Sequence, residues 1–234
     1  LLNVIKLYQN YYPDPVQEFQ DQIEAIDLDF LVEDLPKLLS SMKVGADRIQ
    51  QIVASLRTFS RMDEAEMKAV NIHDGIDSTL MILQHRLKAK HNHPEIQVIK
   101  AYGKLPLIEC YAGQLNQVFM NILSNALDAL EERDLRRSAD EIREQPSNIR
   151  IRTEMSPAGK VIIQIADNGP GMTESVCNRL FDPFFTTKPV GKGTGMGLSI
   201  SYQIVTERHG GSLHCTSSLG QGAEFAIEIP LKAK

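Results

Sequence analysis

Four glycines at alternate positions, Gly191, Gly193, Gly195 and Gly197, run straight into the helical pattern LSISYQIV. No other stretch constrains the chain as much. Glycines just before a helix leave free backbone N–H groups and the positive end of the helix dipole facing whatever binds there, so an anion is favoured. Lys188 and Lys192 add charge suited to a polyphosphate. The order differs from a P-loop, which needs Gly-Lys-Ser/Thr at the helix start, and from a dinucleotide fingerprint, which needs a preceding strand. Taken alone, the loop also fits a plain mobile linker.

Two further elements bear on phosphate chemistry. In NILSNALDA, Asn121 and Asn125 stand four residues apart on a helical pattern, Ala112 to Leu130, so both carboxamides share one face. Their oxygens are hard donors of the kind Mg²⁺ accepts, though such a pair equally fits an exposed helix face. In IADNGPGM, Asp167, Gly169 and Gly171 follow a strand pattern. A carboxylate there can accept a hydrogen bond from an exocyclic amine such as adenine's. The glycines let backbone approach a flat ring, although the same residues also make an ordinary turn.

The rest of the chain divides in two. Leu35, Leu38, Met42, Gly45, Ile49, Ile52, Leu56 and Phe59 follow one another at steps of three and four. That narrow stripe suits a helical bundle shared between two chains better than a broad globular face, the alternative being a helix packed on its own core. Leu1 to Tyr12 reads as the tail of another helix, halted near Pro13 and Pro15, and the acidic segment between them as an elaborated hairpin. After Met67 the patterns predict helices over Ile72–Lys90, Ala112–Leu130 and Gly197–Glu207. They predict strands over Glu95–Lys100, Ile149–Glu154, Val161–Ala166, Ser212–Thr216 and Ala223–Ile229. Glu131–Asn148 reads as a solvated loop or short exposed helix. The expected fold is α+β, a two-layer α/β sandwich whose mixed sheet carries helices on one face, preceded by the helical hairpin.

Among 234 residues the net charge is −5, which disfavours a general nucleic-acid or anionic-membrane binder. No apolar run approaches the roughly 20 residues of a membrane span. Cys110, Cys177 and Cys215 are scattered and odd in number, pointing to a reducing compartment rather than a disulfide framework. The chain starts without Met, in what reads as mid-helix, so a piece of a longer protein is expected.

Taken together and in order, the Asn helix, Asp-x-Gly-x-Gly, Phe-Asp-Pro-Phe-Phe and the glycine loop resemble the ATP-binding domain of histidine kinases, gyrase-type ATPases, heat-shock-90 chaperones and MutL. DPFFTTKPVGKGTGMGLSIS is similar to the sensor histidine kinase version, and HGGSLHCTSSLGQGAEFAIEIP looks like the closing strands. The resemblance covers about Val70 to Leu231. It implies a partial dimerisation and phosphotransfer hairpin over residues 1–67 and an ATP-binding catalytic domain over 68–234. It also implies a cytoplasmic homodimer using ATP and Mg²⁺, with a response-regulator receiver domain as partner.

By the same resemblance, Asn125 would hold Mg²⁺ with Asn121 beside it near the phosphates. Asp167 would bind the adenine amine in a pocket shaped by Gly169 and Gly171. Residues from about Met172 to Gly195 would form a lid anchored by Phe181, Phe184 and Phe185. Lys188, Lys192 and Gly193 would lie near the phosphates. Gly195 and Gly197 would set the helix start against them, and Asp128, Met196 and Leu198 would complete the nucleotide site.

Two departures stand out. Ala223 follows Gly220-Gln221-Gly222 where many kinases have Thr. None of the six histidines fits the family's His-Glu or His-Asp acceptor motif on the first hairpin helix, so the acceptor is expected upstream of residue 1. His73, His85, His91, His93, His209 and His214 are expected in structural or solvent roles. The rivals are a gyrase- or MutL-like ATPase, disfavoured because Asn121 stands where a general-base carboxylate is needed, and a degenerate nucleotide-binding scaffold.

Overall fold

The structure, a computed structural model, describes residues 7, 10–12, 16–28, 30–43, 46, 66–89, 94–188 and 194–232. By backbone contacts the chain divides into two compact units, Leu1–Val53 and Ala54–Lys234. In the first, helix α1 spans Gln17–Ala25 and residues 30–43 are helical as well. Leu35, Leu38 and Met42, the described start of the apolar stripe, are all exposed. Its remaining members, from Gly45 to Phe59, lie outside the described residues.

The second unit is built on a five-stranded sheet in the order β2-β4-β5-β7-β6. Its strands are β2 (Gln97–Tyr102), β4 (Asn148–Met155), β5 (Lys160–Asp167), β6 (Ser212–Ser218) and β7 (Gly222–Pro230). β2 runs parallel to β4 and every other pairing is antiparallel, so the sheet is mixed. Alternation decides its faces. Ile149, Ile151, Val161, Ile163, Ile165, Phe225, Ile227 and Ile229 point inward and are buried. Arg150 and Arg152 on the opposite face are exposed, and Lys160–Glu228 and Arg152–Glu154 pair there at 2.8 and 2.6 Å.

The inward face meets helix α4 (Ala112–Asp134), α2 (Ile72–Ile82) and α7 (Gly197–Gln203). On α4, Leu115, Val118, Phe119, Ile122, Leu123, Ala126, Leu127 and Leu130 recur at alternating steps of three and one and are buried. That is one apolar face of a 3.6-residue period, and each large side chain contributes about 1.5–3 kcal/mol by leaving water. An adjoining edge of that helix carries Asn121, Asn125 and Asp128, all half-buried.

The α+β two-layer expectation therefore holds, with differences at element ends. The first helix stops at Ile82, and Gln84–Leu87 forms a separate short helix, α3, before Lys88 turns extended. α4 continues to Asp134, four residues into the stretch read as solvated, because Asp134 is buried and accepts from Ser147 Oγ at 2.7 Å. The rest of that stretch holds α5 (Ala139–Glu144), started by a capping box between Ser138 and Glu141. The short helix α6 (Glu174–Cys177) follows β5, and after α7 the backbone loosens into a π-helical turn, Ile204–Arg208, instead of continuing as α-helix. Two short strands went unread, β1 (Lys68–Val70) and β3 (Ile108–Cys110), which pair antiparallel. Three residues are too few to show alternation.

Candidate functional site along α4

One cross-strand row fixes Asp167. At the sheet's end Ile149 pairs with Asp167, Asp167 with Ala223 and Ala223 with Ser217. Asp167 continues the inward series Val161, Ile163 and Ile165, so its carboxylate is turned to the helix layer. It accepts the Gly169 N–H at 2.8 Å. Burial pushes its carboxyl above the usual range, against the lowering effects of the Gly169 and Ala223 N–H groups and the Arg133 charge.

The turn after Asp167 is fixed at each end. Arg133 of α4 donates to the Asn168 carbonyl, and the Asn168 side chain joins Asn148 N at 2.9 Å and Pro146 O at 3.0 Å. Gly220 N donates to Pro170 O at 2.7 Å, and Met172 N to Ser217 Oγ at 2.9 Å. Gly171 has φ +70°, and a Cβ there would lie 1.9 Å from Ser218 O. Only glycine fits. Gly169 rests against α4, a Cβ on it falling 3.3 Å from that of Ala129.

Next to Ala129, Asp128 receives the Nζ of Lys188 on one carboxylate oxygen and Arg86 Nη2 on the other at 2.6 Å. Lys188 Nζ also donates to Asn125 Oδ1 at 2.9 Å. Arg86, from α3, forks to both carboxylate oxygens of Glu131 at 3.0 and 2.7 Å. Burial raises the Asp128 pKa, but the Lys188 and Arg86 bonds and charges outweigh it and hold the carboxyl below its usual range. The Arg86 guanidinium is shifted upward, chiefly by its bond to Glu131. One turn earlier, Asn121 Nδ2 donates to Gly197 O at 2.8 Å and Ser201 Oγ at 3.0 Å, tying the start of α7 to α4.

Asn121, Asn125, Asp128 and Ala129 thus line one edge of α4, and through them α7, Lys188 and the Asp167 turn meet. Among the other expected residues, Phe181 packs on the core with its ring 5.1 Å from that of Tyr202. Phe184 is 75% exposed, while Phe185 lies against the Arg179 guanidinium. Gly195 has φ +66°, with Phe184 backbone where a Cβ would go. Met196 precedes α7 and is exposed, and Leu198 is half-buried on the core. Lys192 and Gly193 lie outside the described residues. Arg86, Arg133 and Ser217 were missed by sequence reading. The only hint was the Asp128–Glu131 pair, three apart on one helix face and in need of a cation.

The Asn125 oxygen and Asp128 carboxylate are hard donors that already accept a cation, the Lys188 ammonium. Mg²⁺, which takes few protein oxygens and completes its shell with water and phosphate, fits that donor set. Among the described residues no group of three or more His, Cys, Asp or Glu forms a metal site. Two histidines serve the fold. His73 Nε2 meets Thr153 Oγ1 at 2.8 Å and its ring stacks on Tyr102, while His209 is buried between Ile204 and Tyr111. His91 and His93 lie outside the described residues.

A mixed sheet under one helical layer, with an Asp-x-Gly turn and an Asn-bearing helix closing one end, defines an ATP-binding α+β domain. Comparison with known proteins agrees. Residues 111–233 match the family described as histidine kinase-, DNA gyrase B-, and HSP90-like ATPase, and the chain belongs to it. Sensor kinase CckA of Brucella abortus (strain 2308) is 32% identical over 195 residues, 82% of this chain and 20% of that protein. Sensor histidine kinase ZraS of Escherichia coli (strain K12) is 29% identical over 196 residues, 83% of this chain and 38% of that protein. The chain thus spans well under half the length of these curated relatives. The catalytic domain of histidine kinase ThkA, nucleotide-free, superposes with a TM-score of 0.57 at 26% identity, covering 72% of this chain and 97% of that one. Within the family this is the ATP-binding catalytic domain of the histidine kinase kind.

Proposed function

We propose that the chain is the catalytic region of a sensor histidine kinase. Residues 68–234 bind Mg·ATP and pass its γ-phosphoryl to a histidine on the dimerisation helix, and from there to a response-regulator aspartate. Residues 1–67 belong to the hairpin that carries that helix. The observation behind this reading is the convergence along α4, where Asn121, Asn125, Asp128 and Ala129 bring together α7, Lys188 and the Asp167 turn.

In this reading Asp167 accepts the adenine amine, while Gly169 and Gly171 put backbone against the ring. Asn125 and Asp128 hold Mg²⁺, which neutralises phosphate charge. Asn121 fixes the start of α7, so Gly195, Met196, Gly197 and Leu198 lie beside the phosphates, with Lys188, Lys192 and Gly193 as further contacts. Positioning and charge neutralisation are what phosphoryl transfer requires of a protein. Asn121 spends its amide on Gly197 and Ser201 and cannot take a proton from water, which argues against the gyrase- or MutL-like ATPase.

The exposed Leu35, Leu38 and Met42 support a homodimer through the hairpin. A cytoplasmic location fits the three free cysteines. Among the described residues no helix is long and apolar enough to cross a membrane. Calorimetric titration of ATP with and without Mg²⁺ tests the site. The parent chain is expected to bind with Mg²⁺ and Asp167→Asn to lose tenfold or more, about 1.4 kcal/mol. A folded parent that does not bind would leave a degenerate scaffold.

A further inference from the structure

The cation nearest the expected metal ligands is the protein's own. Lys188 Nζ lies 2.9 Å from Asn125 Oδ1 and bonds one oxygen of Asp128, while Arg86 Nη2 holds the other at 2.6 Å. Arg86 is held in turn by both oxygens of Glu131. The ammonium therefore takes one amide oxygen and one carboxylate oxygen, the hard donor pair a divalent ion seeks. Two cations balance two carboxylates across Glu131, Arg86, Asp128 and Lys188. A neutral cluster of this kind has little to offer a free metal ion.

We infer that Lys188 is a tethered placeholder for the divalent cation: its ammonium holds the Asn125 and Asp128 oxygens until a metal ion arriving with a polyphosphate displaces it. A metal ion and an ammonium cannot share Asn125 Oδ1, because like charges a few ångströms apart repel strongly in a partly buried site. The displaced lysine is left beside the incoming phosphates, whose charge accommodates both cations. Metal thus enters with its nucleotide and not before it. Arg86 acts as a positioning residue, keeping Asp128 aimed and charge-balanced while its other partner changes. This inference rests on the reading of Asn125 as a metal ligand and adds the exchange to it.

The test uses the whole 234-residue chain and Mn²⁺ alone, followed by the loss of its free-ion electron paramagnetic resonance signal. Removing the ammonium leaves the cluster one negative charge in excess. Lys188→Met is expected to bind Mn²⁺ at least fivefold more tightly than the parent, and Lys188→Arg to stay close to it. The gain should vanish in the double variant Lys188→Met/Asn125→Ala. Unchanged or weaker Mn²⁺ binding in folded Lys188→Met overturns the exchange, as does a gain that survives loss of Asn125. Lys188→Gln repeats the measurement should the Met variant prove insoluble. ATP calorimetry on the same samples separates the two ideas. Mg²⁺-dependent ATP binding without a Mn²⁺ gain sinks only the exchange, whereas ATP binding indifferent to Mg²⁺ throughout sinks the metal reading beneath it.

Discussion

His209 has both ring nitrogens in use. Nδ1 donates to Ile204 O at 2.8 Å, and Nε2 accepts from Tyr111 N–H at 3.1 Å, a combination open only to neutral imidazole. Burial holds its pKa below 6.5, against a smaller raising effect of the Ile204 bond. His73 is lowered too, by burial, against the fields of Asp77 and Asp74. Between such a depressed folded value and the unfolded one, the unfolded chain binds more protons. Stability therefore rises with pH through that window and levels off above about 6.5. Urea titrations from pH 7 downward should show a falling midpoint, and His209→Gln should flatten part of that slope. A slope the substitution leaves alone would put the proton elsewhere. At the other end of α4, Arg86→Ala should cost about 1–2 kcal/mol of unfolding free energy. That is the lower part of the range for charge-assisted bonds, since the fork is partly exposed.

At the scale of elements, α4 works twice over. One face fills the core and the adjoining edge carries the site. Phe119 is fully buried in the first role, so Phe119→Ala is expected to cost about 3–5 kcal/mol by chemical denaturation. The turn after β5 is a different kind of element, rigid because Arg133, Asn148, Gly220 and Ser217 each hold part of it. Gly171→Ala meets both a left-handed φ and the Ser218 carbonyl. It should abolish measurable ATP binding while far-ultraviolet circular dichroism still reports a folded sheet. A variant that binds ATP normally would show that the turn can shift away.

For the whole molecule, a kinase reading predicts that labelled ATP transfers phosphate to a separately supplied acceptor hairpin, while the chain leaves itself unlabelled. A labelled histidine in this chain would contradict that. The sequence by itself determined the sheet's inner face, the buried face of α4 and the order of the phosphate-associated motifs. Period-2 and period-3.6 patterns and turn glycines record local burial and local backbone shape directly. It did not reveal the β1–β3 pair, the buried end of α4 or the π-helical turn, which depend on what each segment packs against. Nor could it join Lys188 to Asn125 and Asp128, Arg86 to Asp128, or Ser217 to Met172, pairs separated by 63, 60, 42 and 45 residues. Such pairs leave no periodic trace along the chain. They form only once the sheet and helices have closed the long loops between them, so tertiary structure alone decided how the site's charges are arranged.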